Sequence, residues 1–303
     1  MKRRDFLIGT TLLAGACVAP RGIAKGGFVS DRMLVTVRGS GPDVLLVPGL
    51  TSSPEIWERL VTALPGYRYH LVHVCGFAGA DVGGNAGNGP VLLPIANELV
   101  RYISQADLDA PAIIGHSMGG TLAMMVASGA PDSVSRVMVV DMVPFMGIFF
   151  GPPGTTSERV RPVAEATRRQ ISGRSARERQ ASIEASIAGM VRNPAARAGP
   201  MRHAMESDPV LGAQVMYDLI TTDLRSQIAA IKAPLVVLYV NGPNIPLNDG
   251  QMDAVYRASF AGAPQAILRR VPDAYHFVML DQPERFTQEV SGFLGRSATR
   301  PAT

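Results

Sequence analysis

Residues far apart in this chain could together cleave an acyl bond. Ser117 lies in Gly115-His116-Ser117-Met118-Gly119-Gly120, directly behind the apolar run Ala112-Ile113-Ile114. A serine placed there stands on a tight strand-to-helix turn that lifts its hydroxyl clear of a sheet, because flanking glycines let neighbouring backbone pass close by. The pentapeptide alone would be compatible with an ordinary glycine-rich turn. The β-branched run before it and the helical pattern after it favour a nucleophile. His276, in Val271-Pro272-Asp273-Ala274-Tyr275-His276-Phe277, follows a strand-like stretch and precedes a helical one. From such a loop an imidazole can take the serine proton and later return it to a leaving group. The early loop Pro48-Gly49-Leu50-Thr51-Ser52-Ser53 follows the apolar run 43–47 and can offer a backbone N–H to developing negative charge.

These groups meet only if particular elements carry them. Short apolar runs predict strands at 34–38, 44–47, 69–74, 112–115, 137–140, 235–240 and 266–270. Apolar spacing near 3.6 residues predicts helices over 55–64, 93–104, 118–128, 226–231, 252–260 and 283–294. This alternation calls for a parallel sheet covered on both faces, with functional loops at the strand C-terminal ends. The rhythm breaks between Pro144 and about Thr222, where a helical insertion is expected to cover Ser117.

The serine motif, the early loop and the late histidine together resemble the α/β-hydrolase superfamily over about residues 33–294. The resemblance implies an α/β-hydrolase fold: a mostly parallel central sheet, helices on both faces and a helical lid insertion. It also implies Ser117 as nucleophile, His276 as base, the backbone N–H groups of Leu50 and Met118 as oxyanion hole, and no metal or organic cofactor. Many relatives have His-Gly where this chain has Pro48-Gly49, a change of loop stiffness more than of the Leu50 amide.

The acid of the triad departs from the usual pattern. The family generally carries an aspartate after the strand at 235–240, but this loop reads Asn241-Gly242-Pro243-Asn244-Ile245-Pro246. Neither asparagine can stabilise an imidazolium as a carboxylate does. Asp141 ends the preceding strand, where some members, including certain dehalogenases, hold their acid. Asp141 is therefore the expected acid, Asp249 the alternative, and a dyad assisted by Asn241 or Asn244 a third arrangement. A loop-bracing aspartate is the competing reading of Asp141. His116 and His203 are read as packing or hydrogen-bonded residues, not as bases.

The implied activity is hydrolysis of carboxylic esters of hydrophobic small molecules through an acyl-enzyme. The same constellation also serves lactonases, amidases, carbon–carbon hydrolases and perhydrolases, and a silent binding protein could retain the cavity. Phe145, Met146, Ile148, Phe149 and Phe150 would form an apolar mouth, with Met190, Met201, Met205 and Met216 adding adaptable surface. Ten arginines and four glutamates fall between Glu158 and Arg202. Most of them read as a solvated helix face, although this charge would also suit an anionic substrate or weak contact with an anionic membrane surface. The glycine-rich stretch 76–90 lacks the glycine order and the lysine of a phosphate loop, and is read as a mobile connection.

With 303 residues, 47% hydrophobic and 18% charged, one large core is expected. The net charge of +4 falls to about +2 without the first 16 residues, so nucleic acid is not an expected partner. Residues 1–24 read as an export signal, and Arg3-Arg4-x-Phe6-Leu7 resembles the twin-arginine type. That implies the twin-arginine export machinery as a partner and a periplasmic or secreted destination. Cleavage after Ala16 or near Ala24 fits, and Cys17 raises the alternative of a lipid anchor. Cys75 would then be the remaining cysteine, at a strand end and inert. The expected organisation is an export segment over 1–24, core over 25–143, lid over 144–222 and core again over 223–303.

Overall fold

Every central strand is apolar at consecutive positions, as a strand must be when both its faces are covered. The computed structural model describes residues 27–243 and 245–295; the expected export segment, Cys17 and Asn244 lie outside the described residues. Seven strands, β1 (Met33–Gly39), β2 (Asp43–Val47), β3 (Arg68–Val74), β4 (Ala112–His116), β5 (Arg136–Val140), β6 (Leu235–Tyr239) and β7 (Ile267–Arg270), form one sheet. Their order is β1-β3-β2-β4-β5-β6-β7, with β1 antiparallel to β3 and the other pairs parallel.

The two-residue period of these strands sorts their side chains into two cores. Leu45, Val47, Ile113, Val137, Val139 and Val237 face one side, where α2 (Leu92–Gln105) and α3 (Met118–Gly129) pack after α1 (Glu58–Ala63) has crossed the other. Val44, Leu46, Ile114, Met138, Val140 and Leu238 face that other side, against Trp57 and Phe286. These β-strand side chains are all almost completely buried, and each contributes about 1.5–3 kcal/mol relative to exposure.

Between β5 and β6 the chain forms α4 (Ser157–Ser172), α5 (Ala176–Met190), α6 (Ala198–Met205) and α7 (Pro209–Thr221). Their boundaries follow local chemistry. Ser175 and Glu178 make a reciprocal capping box at the start of α5, and Asp208 caps α7 ahead of Pro209. After β6 come α8 (Asp249–Ser259), α9 (Val278–Asp281) and α10 (Pro283–Gly295).

Three local expectations need correction. The helix expected over 55–64 is a 3-10 turn, Pro54–Trp57, running into α1. The one expected over 226–231 is only a 3-10 turn, Ile228–Ala230, with Ile231 already in extended backbone; a segment this short gains too little from helical hydrogen bonds to nucleate a helix. The glycine-rich stretch is tethered: Asn85 is buried and its amide donates to the Arg32 and Cys75 carbonyls, while Ala78 N–H donates to Ser207 Oγ and Gly79 N–H to Glu206 O. It thus ties the helices between β5 and β6 to the sheet. Among the described residues no helix is long and apolar enough to cross a membrane.

Candidate active site

Strand order reverses beside β2, whose neighbours β3 and β4 follow it in the chain on opposite sides. At such a switch point the loops leaving adjacent strands diverge and open a crevice. The loop after β2 carries Leu50, and the turn after β4 carries Ser117.

Ser117 has φ 53° and ψ −119°, a conformation that a residue with a Cβ rarely adopts. Its neighbours enforce it. A Cβ on Gly115 would collide with the Gly119 carbonyl, and one on Gly119 with the Val47 carbonyl. Ser117 N–H donates to Val140 O at 2.9 Å, tying the turn to β5. The strain costs about 1–3 kcal/mol and leaves the hydroxyl at the cavity wall.

Asp141 also has a positive φ, 54°, as β5 ends. Its Oδ2 lies 2.6 Å from His276 Nδ1, while Oδ1 accepts from Val240 N–H and Tyr256 Oη, each at 3.1 Å. Burial, reinforced by the Asp141 charge, pushes the Tyr256 hydroxyl well above its ordinary range, so it remains a donor. Asp249 lies elsewhere. Its carboxylate accepts from Asn241 Nδ2 and pairs with Arg270. Asn241 therefore braces the α8 start and does not reach His276.

With Nδ1 committed to Asp141, His276 Nε2 has no protein partner among the described residues, and neither has Ser117 Oγ. Both side chains line one cavity of about 430 Å³. They are not hydrogen bonded to each other, which is common before substrate draws such a pair together. The amides of Leu50 and Met118 likewise donate to no protein acceptor among the described residues; Met118 heads α3, whose first N–H groups lack internal acceptors.

His116 turns away from substrate chemistry. It donates from Nε2 to the His276 carbonyl at 3.0 Å, the tautomer an acceptor-only carbonyl demands. Burial, then the neighbouring His276, holds it well below the ordinary 6.5. His203 is also buried, with Ser53 N–H donating to Nδ1 and Nε2 beside Glu55. It joins α6 to the early loop.

The cavity walls are mostly apolar. Met142, Val143, Met146, Phe149, Met216 and Leu219 line one side. Not every residue expected at the mouth is there: Phe145 is buried against Val160, Ala164 and Ile220, Ile148 and Met201 pack on the cores, and Phe150 and Met205 are exposed away from the cavity lining. Met190 is at the cavity as expected. Cys75 is a buried free thiol, raised by that burial. Among the described residues no group of three or more His, Cys, Asp or Glu is placed to hold a metal ion.

Two contributors escaped the sequence reading. Tyr256 reaches Asp141 from a helix that carries no motif. Asp281 gathers the N–H groups of Tyr275, Arg192 and Asn193, and Phe277 N–H donates to Met190 O, so the His276 loop is stitched to the end of α5. The only local signal for Asp281 is an acid five residues after the histidine.

His70, His116 and His203 are all buried, and burial lowers all three below 6.5. Unfolded, each takes a proton as pH drops through about 6.5; folded, each resists it. Stability should therefore decline as pH falls below about 6.5, by up to about 1.4 kcal/mol per pH unit for each histidine. Melting temperatures between pH 8 and pH 5 check this, and a flat profile would refute it.

A family model described as "alpha/beta hydrolase fold" matches residues 42–283. Among curated proteins, the chain is similar to a pimeloyl-[acyl-carrier protein] methyl ester esterase of Photobacterium profundum, 26% identical over 84% of this chain and 96% of that one. It is 24% identical to the protein of the same name in Pectobacterium atrosepticum, over 83% and 93%. Among solved structures, a thermophilic esterase from Thermogutta terrifontis superposes with TM-score 0.70 at 21% identity, covering 93% of this chain and 100% of that one. An enol-lactonase from Burkholderia xenovorans superposes with TM-score 0.69 at 18% identity, covering 87% and 96%. With the sheet order, the serine turn and a family match spanning most of its length, the chain belongs to the alpha/beta hydrolase family.

Proposed function

We propose that the protein hydrolyses carboxylic esters through an acyl-enzyme on Ser117. The observation that carries this reading is the His276 Nδ1–Asp141 Oδ2 contact of 2.6 Å beside a strained serine turn on the same cavity. In this mechanism Asp141 orients the imidazole and stabilises its charged form. His276 Nε2 takes the Ser117 proton as Oγ attacks the ester carbonyl carbon. The resulting oxyanion is held by the Leu50 and Met118 N–H groups. Collapse breaks the bond to the alkoxy oxygen, which leaves as an alcohol carrying the proton from His276. Water, deprotonated by the same imidazole, attacks the acyl carbon and releases the acid and free Ser117.

The esterase names of the curated relatives support an ester over an amide or a carbon–carbon bond, and the apolar walls support a hydrophobic acyl or alcohol part. A fluorophosphonate probe tests the reading most directly. It should label the folded protein stoichiometrically at Ser117, and activated esters should show a burst of released alcohol. A folded protein that neither reacts with the probe nor turns over such esters would be a binder, and the proposal would fail.

A further inference from the structure

Charged groups on the cavity wall can be accounted for one by one. Asp141 is held by His276 and Asp208 by the Leu211 N–H it caps. Arg179 spends one amino group on the Ala204, Met205 and Ser207 carbonyls. Arg174 is left over. It sits in the Gly173–Ser175 link between α4 and α5, half-buried on the cavity wall, and its guanidinium has no hydrogen bond or ion pair with any described residue. Its nearest acid along the chain, Glu178, is engaged with Ser175 N–H and Oγ. Among the described residues neither Arg174 nor Arg179 has a carboxylate within ion-pair distance; the Glu178 charge acts on Arg174 from outside the cavity, so the two arginines leave the lining with positive charge among largely apolar residues. Ser182, one turn beyond Arg179 on α5, lines the same wall.

We propose that Arg174 binds an anionic oxyacid group of the substrate, remote from the scissile ester and separated from it by an apolar stretch lying on the Met142, Met146 and Met216 side. The guanidinium fork suits a carboxylate or a phosphate and gains strength where the cavity excludes water. This rests on the esterase reading, since Ser117 fixes where the ester must lie.

Three nitrophenyl esters of equal chain length test it: one ending in a carboxylate, one in a phosphate, and one in the carboxylate masked as a methyl amide. For the wild-type protein the KM of the better anionic ester should be about tenfold below that of the masked one, about 1.4 kcal/mol. Added salt should narrow that gap. Arg174→Gln should abolish the gap with little change in the kcat ratio, whereas Arg177→Gln, on the exposed side of α5, should preserve it. The carboxylate and phosphate arms identify which anion fits. Equal KM values for anionic and masked esters, or equal effects of the two arginine variants, would overturn the assignment. Failure to hydrolyse any of the three by a folded, probe-unreactive protein would instead overturn the esterase reading.

Discussion

Ser117→Ala should lower kcat by at least about 10⁴-fold while leaving the fold intact. The hydroxyl is the only atom removed, and it makes no hydrogen bond to a described residue, so nothing in the turn depends on it. The backbone strain at φ 53° remains, held by Gly115, Gly119 and the bond to Val140 O. Melting temperature should therefore stay within a few degrees of wild type, and fluorophosphonate labelling should vanish. Residual turnover would come from the oxyanion amides and bound water alone. A variant retaining a tenth of the activity would show that another group attacks the substrate.

Asp141→Asn and Asp249→Asn should differ by about two to three orders of magnitude. Asparagine at 141 keeps the size of the side chain but removes the charge facing His276 Nδ1, and its amide can present a donor to a nitrogen that needs an acceptor. The expected loss in kcat is about 10³–10⁴-fold. Asp249→Asn removes only a partly exposed pairing with Arg270, keeps an oxygen that can accept from Asn241 Nδ2, and should cost less than about threefold. Tyr256→Phe gives the intermediate case. It deletes one of two donors to Oδ1 and should lower kcat about tenfold with a smaller change in KM, because the one hydrogen bond the hydroxyl makes among the described residues is to Asp141. Equal, small losses in the two aspartate variants would reject both as the acid.

What the amino-acid order reveals of the fold and the site depends on whether its signals are local. The strands were legible because parallel, doubly covered strands are unbroken apolar runs, and Val137 to Val140 or Leu235 to Tyr239 admit little else. The serine turn was legible because glycines at 115 and 119 report the close approach of backbone that occurs there. The acid was less so. Asp141 and Asp249 both lie near a strand end, and only the sheet brings His276 to one of them across 135 positions. Tyr256 was invisible for the same reason, being one aromatic on an amphipathic helix. The short turn at Ile228–Ala230 shows the opposite failure, in which apolar spacing over six residues suggested a helix too short to nucleate. Lid side chains such as Phe145 were misjudged because apolarity alone does not say whether a residue faces a cavity or a small core.

The stitching of the histidine loop to residues 190–193 has a mechanical consequence. Phe277, Tyr275 and Asp281 fasten the cover along one margin, so a hinged opening there would pull the imidazole away from its carboxylate. Movement of the covering helices that leaves these bonds intact would keep the 2.6 Å contact between His276 and Asp141 undisturbed.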